Sequence, residues 1–193
     1  MAIFFFDSND IRKQDARGLL SSLIVQLSNR AQSFYQILFD FCSAHQNGTQ
    51  EPDIGALTKC LEDMLRATGD IPIYLILDGI DECPNTNVIH SSRDQGMQSS
   101  RDQVLAVVEN LVKLNLTKLH LCITSRPTVD ISTSLKPLTS KSTRISLHEE
   151  SGQKQEIDEY VRAIVYRDKK MQSWQDQDKE FVIKRLSEQA DGM

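Results

Sequence analysis

Two polar clusters in this sequence combine residue types that act together in chemistry. Each cluster directly follows an apolar run, which is continuous over 73–77 for the first and contains His120 over 119–123 for the second. Carboxylates bind hard divalent cations and can orient or deprotonate an attacking water, and a guanidinium binds phosphate oxygens that carboxylates alone would repel. The clusters therefore indicate a site for a metal-bound polyphosphate. The candidate residues are Asp78, Asp81 and Glu82 in the first cluster, and Thr124 and Arg126 in the second.

The elements that must position these clusters are buried strands. Alternate side chains of a strand point to opposite faces, so the unbroken apolar run 73–77 predicts a central strand that is buried on both faces. After this strand Gly79 relaxes the backbone and Pro84 interrupts the chain. Strands separated by helical patterns predict a parallel sheet, whose carboxyl ends share one edge. Ligands of open α/β sheets bind beyond that edge.

The rest of the pattern predicts an α/β fold with three to four parallel strands and a helical C-terminal part. Residues 2–6 form a further wholly apolar run, and Ile145 lies in a weak candidate for a fourth strand. Apolar residues repeat at helical spacing in six segments. These segments are 19–27, 34–41, 54–65, 104–112, 157–164 and 181–186.

Composition excludes several classes of function. The 193 residues are 39% hydrophobic and 25% charged, which is typical of globular proteins. A net charge of -5 argues against nucleic-acid binding. No apolar run reaches the length of a membrane span and no basic leader is present, so we expect a cytoplasmic protein without membrane association. The cysteines form no CxxC pair and are expected to be buried thiols in a reducing compartment; they are Cys42, Cys60, Cys83 and Cys122.

One polar segment contains an internal duplication. The pentapeptide Ser-Ser-Arg-Asp-Gln occurs at 91–95 and again at 99–103, within the polar stretch 85–103. The offset is too short for a solenoid repeat. Insertions in exposed loops cost little stability, so the stretch is interpreted as an exposed loop.

Two motifs resemble those of a known family. Leu-Ile-Leu-Asp-Gly-Ile-Asp-Glu-Cys-Pro at 75–84, followed by Leu-Cys-Ile-Thr-Ser-Arg-Pro at 121–127, resembles the Walker B and sensor 1 segments of NACHT domains, which are signal-transduction NTPases of the P-loop class. With Phe-Phe-Phe-Asp at 4–7 and Leu-Leu-Ser-Ser-Leu-Ile-x-Gln-Leu at 19–27, the chain is similar to the nephrocystin-like N-terminal NTPase domains of filamentous fungi over about residues 2–193.

The resemblance implies a role for each candidate residue. Asp78 would bind Mg²⁺ through water, and Asp81 and Glu82 would position the hydrolytic water, with either one acting as the base. Arg126 would be the sensor arginine near the γ-phosphate of ATP or GTP, and Thr124 a further cofactor-binding residue. The fold would be an incomplete P-loop NTPase-like sheet, with a partial core over 1–150 and the start of a helical extension over 151–193.

The chain departs from this family in one motif. No segment of the sequence has the pattern Gly-x-x-x-x-Gly-Lys-Ser/Thr, the Walker A loop that cradles the phosphates. We therefore expect a fragment that binds or hydrolyses ATP or GTP poorly, because the family's loop precedes the strand seen here at 2–6. In the family's strand order, the strand at 119–124 would also lose one neighbour.

Three functions follow from these patterns. The first is a fragment of a NACHT NTPase, a nucleotide-dependent oligomerisation switch whose partners would be homologous NACHT proteins or missing C-terminal repeat domains. The second is a non-catalytic interaction module that pairs with a full-length homologue. The third is a two-metal phosphodiesterase built on the three acids.

Two simpler interpretations of single residues also stay open. Asp78 and Asp81 could merely end a strand and cap the next helix, since an acid often follows a short apolar run. Arg126 could form a salt bridge to Asp78 or Glu82 without any ligand.

Overall fold

Three apolar runs of the sequence form one parallel sheet. The computed structural model describes residues 1–45, 50–85, 99–146 and 151–189. The chain divides into two compact units, Met1–Thr139 and Ser140–Met193, and the sheet lies in the first. Its order is β1-β2-β3, and both pairs of neighbours are parallel. The strands are β1 (Ala2–Phe5), β2 (Ile73–Asp78) and β3 (Leu119–Ile123).

Seven α-helices surround or follow the strands in the described part of the chain. The first unit contains α1 (Ala16–Ser28), α2 (Gln32–Ala44), α3 (Ile54–Arg66), α4 (Ser100–Lys113) and α5 (Val129–Leu135). The second contains α6 (Ser151–Arg167) and α7 (Asp176–Gln189). None of these helices combines the length and the apolar character that a membrane span requires.

Side-chain caps explain where three of the helices begin. Asp15 accepts a hydrogen bond from the Gly18 amide at 2.7 Å, and Asp53 accepts one from the Ala56 amide at 2.7 Å. Such caps satisfy amides that have no partner inside the helix. Ser99 forms a full capping box with Asp102 at the start of α4.

Among the described residues of the first unit, one face of the sheet is buried and the other is largely exposed. Leu75 and Leu77 are fully buried, whereas Tyr74 on the opposite face is 48% exposed and Phe5 is 57% exposed. The prediction that β2 is buried on both faces is therefore wrong for one of them. Both crossovers step in the same direction across the sheet, from β1 to β2 and from β2 to β3. Since parallel crossovers are right-handed, both sets of connecting helices are expected on the same side.

The two edges of the sheet differ. The amide of Ile3 in β1 donates to Gln26 Oε1 at 2.9 Å, and Gln26 Nε2 donates back to the Ile3 carbonyl at 2.7 Å, so α1 satisfies this edge. Within the described residues the sheet ends at β3 on the other side. The weak fourth strand predicted around Ile145 is not seen in the described residues 144–146, which have no regular structure, and Ile145 is 80% exposed.

The second unit is a pair of helices. Val165 of α6 and Ile183 of α7 are its buried apolar residues among those described. Arg162 Nη1 donates to Glu180 Oε1 at 2.5 Å and so links the two helices. Phe181 is 70% exposed, so the apolar face of α7 is centred on Ile183 and not on Phe181.

Candidate functional site

A tight turn follows β2 and carries two of the three acids. Gly79 has a φ of 72°, a left-handed conformation that glycine adopts without strain. It is followed by a single 3₁₀ turn over Ile80–Glu82. Ile80 is fully buried and anchors this turn in the core. Asp81 and Glu82 are thereby held at the carboxyl edge of the sheet.

Thr124 joins the ends of β2 and β3. Its hydroxyl donates to Asp78 Oδ1 at 2.5 Å and accepts a hydrogen bond from the Gly79 amide at 3.0 Å. Its backbone contributes too, since its amide donates to the Leu77 carbonyl at 3.0 Å and its carbonyl accepts from the Ile80 amide at 3.2 Å. The two polar clusters therefore lie side by side, as expected for neighbouring strands of a parallel sheet.

Arg126 contacts Asp81. The Arg126 amide donates to Asp81 Oδ1 at 3.0 Å, and its Nε lies 3.5 Å from Asp81 Oδ2. The Asp81 side chain is 13% exposed and that of Arg126 is 82% exposed. The salt bridge expected for Arg126 is thus present, but its partner is Asp81 and not Asp78 or Glu82. Because the guanidinium is largely in solvent, the pair contributes little stability and is easily opened.

Glu82 has a structural contact. Its Oε2 accepts a hydrogen bond from the Ser8 amide at 3.2 Å, which ties the turn after β2 to the segment after β1. The Phe6 amide donates to the Asp78 carbonyl at 2.9 Å and extends the same link. All three strand ends are therefore connected at this edge.

Asp78 is the candidate metal ligand among the three acids. Asp78 is half-buried, and a hydroxyl occupies one of its carboxylate oxygens, so its other oxygen fits a hard cation such as Mg²⁺, bound through water. No three His, Cys, Asp or Glu side chains among the described residues are grouped closely enough to hold a metal by themselves. The two-metal phosphodiesterase therefore gains no support from the described part of the chain.

Arg101 organises the acidic turn, and sequence reasoning missed it. Its side chain is 12% exposed. Its Nη2 donates to the Asp81 carbonyl at 2.8 Å and its Nε to the Cys83 carbonyl at 2.8 Å. Its Nη1 donates to Asp130 Oδ2 at 2.9 Å. Burial is the largest single influence and raises the pKa of Asp130, but the hydrogen bond from Arg101, further hydrogen bonds to the carboxylate and the charge of Arg101 together outweigh it and leave the pKa below its ordinary value.

The position of Arg101 corrects the interpretation of the duplicated pentapeptide. The copy at 99–103 is not an exposed loop, because Ser99 caps α4 and both Ser99 and Ser100 are buried. The copy at 91–95 lies outside the described residues. The signal that was available is the capping box, a serine followed three residues later by an acid just before an apolar run.

A family comparison matches most of this unit. The sequence model of the family described as nephrocystin 3, N-terminal, matches residues 1–126. The chain belongs to the nephrocystin 3 N-terminal family. The matched span includes β1 to β3 and all five candidate residues, and it ends at Arg126. No curated protein and no solved structure gave a significant match to the chain.

The cysteines of this nephrocystin 3 N-terminal family member are of two kinds. Burial raises the pKa of Cys83 to about 12 and that of Cys60 to about 11, so both thiols stay protonated at neutral pH. The Cys83 thiol donates to the Gln14 carbonyl at 2.8 Å. Cys42 and Cys122 are exposed, against the expectation that the cysteines are buried.

We assign no role in the candidate site to the two histidines that the structure describes. His45 Nδ1 lies 2.8 Å from the Phe41 carbonyl. His120 stacks on Tyr74, with ring centroids 4.7 Å apart. His90 and His148 lie outside the described residues.

Proposed function

We propose that the first unit is the Walker B and sensor 1 part of a NACHT-type signal-transduction NTPase, and that the chain by itself binds ATP or GTP weakly or not at all. In this proposal Asp78 holds Mg²⁺ through water, and Asp81 and Glu82 orient the attacking water. Thr124 and Arg126 face the terminal phosphate. The chain would belong to a nucleotide-dependent switch that acts through other parts of a longer protein or through homologous NACHT proteins.

One observation carries this proposal. The ends of β2 and β3 are joined through the Thr124 hydroxyl, which bonds to Asp78 at 2.5 Å and to the Gly79 amide at 3.0 Å. An acid and an arginine are thereby brought to one edge of a parallel sheet, where ligands of α/β proteins bind. The family match over residues 1–126 contains both strand ends and all five candidate residues.

Each side chain has a task that its geometry permits. Mg²⁺, when bound with a nucleotide, would neutralise phosphate charge. The Thr124 hydroxyl keeps the Asp78 carboxylate oriented and leaves one oxygen available. Arg126 can turn from Asp81 to a phosphate at low cost, because its side chain is 82% exposed. Release of the Arg126 side chain would free Asp81 Oδ2 to accept a hydrogen bond from water, while Oδ1 keeps its bond from the Arg126 amide.

The weak nucleotide affinity that we propose follows from the missing Walker A pattern. Most of the affinity of P-loop proteins for phosphate comes from backbone amides and a lysine of the Walker A loop. No segment of these 193 residues has that pattern. The candidate edge instead presents three acids and one arginine, a balance that repels a polyphosphate unless a cation intervenes.

Nucleotide titration tests this proposal. We expect Mg·ATP and Mg·GTP to bind the purified chain with a Kd of about 1 mM or weaker, which corresponds to a binding free energy no more negative than roughly -4 kcal/mol. We also expect no hydrolysis above that of an Asp78→Asn variant. A micromolar Kd, or turnover that Asp78→Asn abolishes, would refute the prediction of an inactive chain. A weak affinity that Asp78→Asn and Arg126→Ala leave unchanged would refute the assigned roles.

The edge of β3 favours a second candidate function, a non-catalytic interaction module. The Ile73 amide donates to the Lys118 carbonyl and the Thr124 amide to the Leu77 carbonyl, so the even-numbered residues of this segment pair with β2. By alternation, the backbone groups of Leu121 and Ile123 point away from the sheet. An open strand edge can accept a strand from another chain. Co-purification with a full-length homologue would support this function, and a clean monomer in its presence would count against it.

A further inference from the structure

A cleft lies between α2 and α3 in the first unit. Its volume is about 500 Å³, which falls within the roughly 300–1,000 Å³ of clefts that hold small organic molecules. The side chains that line it belong to α2, to the residue that caps the C-terminus of α2, and to α3. None of the five candidate residues of the sheet edge lines this cleft, so it is a separate place on the molecule.

The inner wall of the cleft is apolar. Cys60 of α3 is 3% exposed, and Phe41 of α2 and Ala56 of α3 are half-buried. Phe41 continues the apolar repeat of α2 that begins at Phe34 and Ile37, so its ring packs against the core and also borders the cleft. An aromatic ring that enters the cleft would replace water on these apolar groups, which is favourable.

Charged side chains form the rim of the cleft. Asp40 of α2 and Lys59 and Asp63 of α3 are exposed lining residues. The rim thus carries two carboxylates and one ammonium group, which gives it a net negative charge. Asp40 Oδ1 accepts a hydrogen bond from Gln36 Nε2 at 2.8 Å, one turn earlier on α2, which restrains this carboxylate. A negative cleft attracts cations and repels phosphates and carboxylates, so a nucleotide does not suit it.

His45 adds a hydrogen-bond acceptor to the lining. Its Nδ1 lies 2.8 Å from the Phe41 carbonyl. A carbonyl only accepts hydrogen bonds, so Nδ1 carries the hydrogen and, in the neutral imidazole, Nε2 is an acceptor. The imidazole also packs on the Phe41 ring, with ring centroids 4.4 Å apart. A ligand that donates hydrogen bonds therefore suits this end of the cleft.

Cys60 does not make the cleft a reactive site. Burial, and after it the charge of Asp63, raises the pKa of Cys60 to about 11, so its thiol stays protonated at neutral pH. Within the described ranges, no three His, Cys, Asp or Glu side chains are grouped closely enough to bind a metal. The cleft therefore offers noncovalent binding, through an apolar wall and a negative rim.

We propose that the cleft between α2 and α3 binds a small aromatic amine in its protonated form. The ring of the amine packs on Phe41 and beside Cys60. Its ammonium group lies between Asp40 and Asp63 and donates to their carboxylates, and the Phe41 ring attracts the same charge within about 6 Å. Lys59 opposes this binding, because it carries the same charge as the ligand. The nucleotide site is not involved, so either proposal can fail without the other.

A matched series of small compounds tests the chemistry of the ligand. The probes are phenethylammonium, the neutral 2-phenylethanol, the anionic 3-phenylpropionate, and propylammonium, which has no ring. Each is titrated into the full isotope-labelled chain, and the amide shifts of α2 and α3 are followed by NMR. We expect phenethylammonium to bind saturably with a Kd of roughly 0.1–1 mM. Each of the other compounds should bind at least about fivefold more weakly, because it lacks either the positive charge or the ring.

Matched variants locate the binding surface. Asp63→Asn should weaken the binding of phenethylammonium about threefold, and Lys59→Gln should strengthen it by a similar factor, because it removes a like charge. Glu62→Gln is the control, since Glu62 is next to Asp63 on α3 but is not part of the lining. Ala56→Leu fills the cleft and should abolish binding while the Tm is kept, since leucine is a good helix former.

Four results would overturn the proposal. The first is the absence of saturable shifts in α2 and α3, and the second is equal affinity for phenethylammonium and 2-phenylethanol. The third is an equal effect of Asp63→Asn and Glu62→Gln on the Kd. The fourth is a set of shifts in α2 and α3 that appears without amine as the protein concentration rises, together with a doubled mass in light scattering, because a second copy of the chain would then occupy the cleft.

Discussion

Replacing Arg101 by alanine tests how the acidic turn is held in place. The substitution removes three side-chain hydrogen bonds, to the Asp81 carbonyl, the Cys83 carbonyl and the Asp130 carboxylate. It also leaves the Asp130 carboxylate without its cation. The fold loses the link that Arg101 makes between the turn after β2 and α5, whereas the hydrogen bond from Asn85 Nδ2 to Asp130 Oδ2 at 3.3 Å remains.

The expected loss of stability follows from these contacts. A hydrogen bond from a charged group contributes about 1.5–3 kcal/mol, and breaking a buried ion pair costs about 3–5 kcal/mol. The bonds share one side chain, so their energies do not add. Asp130 is 30% exposed and can recover some hydration. We therefore expect Arg101→Ala to lower the free energy of unfolding of the first unit by about 2–4 kcal/mol, or its Tm by roughly 6–16 °C.

Unfolding in urea, monitored through hydrogen exchange of the β2 amides, measures this change in the free energy of unfolding. Fluorescence of Trp174 is not suitable for the first unit, because this single tryptophan lies in Ser140–Met193. Arg101→Lys keeps the charge and should recover part of the loss, since an ammonium cannot reproduce the planar fork of donors.

An exposed arginine provides the control. Arg12 also bonds to an aspartate, Asp10, but its side chain is 85% exposed. Arg12→Ala should leave the transition of the first unit unchanged within error. If Arg101→Ala changes the free energy of unfolding by less than about 0.5 kcal/mol, the usual range for plain surface substitutions, Arg101 does not hold the turn and the reasoning fails.

The remaining predictions concern the strand ends and pH. Thr124→Val removes the hydroxyl that bonds to Asp78 and to the Gly79 amide, and should cost about 1–2 kcal/mol in urea unfolding, with Thr124→Ser close to wild type. Gly18→Ala should lower the Tm more than Gly79→Ala does. An added Cβ at Gly18 would lie 2.0 Å from a backbone oxygen. At Gly79 the nearest contact of an added Cβ is 3.4 Å away, so the cost there is the strain of the left-handed backbone alone. Equal effects would contradict this. The pKa of Asp130 is lower in the folded state than its ordinary value of 3.8, so the charged carboxylate stabilises the fold at any pH above 3.8. This contribution is lost as the pH falls through the lower pKa of the folded state. The stability difference between wild type and Asp130→Asn should therefore be constant near neutral pH and shrink below about pH 4; a difference that grows with acidity would show the opposite sign of shift.

The candidate site was predictable because it depends on local signals. An apolar run followed by an acid identifies the end of a strand, and parallel strands bring their carboxyl ends to one edge. Asp78 and Thr124 are separated by 46 residues in sequence yet are directly bonded, as that rule requires. The helix starts at Asp15 and Asp53 were equally accessible, since a cap and the apolar repeat after it are close in sequence.

The partners of single side chains were not predictable. The contact of Arg126 with Asp81, and not with Asp78 or Glu82, depends on how the 3₁₀ turn directs each acid. Arg101 was missed because its pentapeptide occurs twice and reads as a polar loop. The apolar residues after 99–103 distinguish the second copy, since Val104, Leu105 and Val108 are buried.

The sequence by itself determined the α/β class, the three strands and the edge at which the candidate residues meet, because hydrophobic period and strand-end chemistry are local properties of the chain. The tertiary structure decided which face of the sheet is covered. The unbroken apolar run of β2 would suit a sheet with helices on both sides, but both crossovers step in the same direction, and Tyr74 and Phe5 are exposed on the other face. Strand order is a relation between distant segments, and a strand's own residues do not encode it.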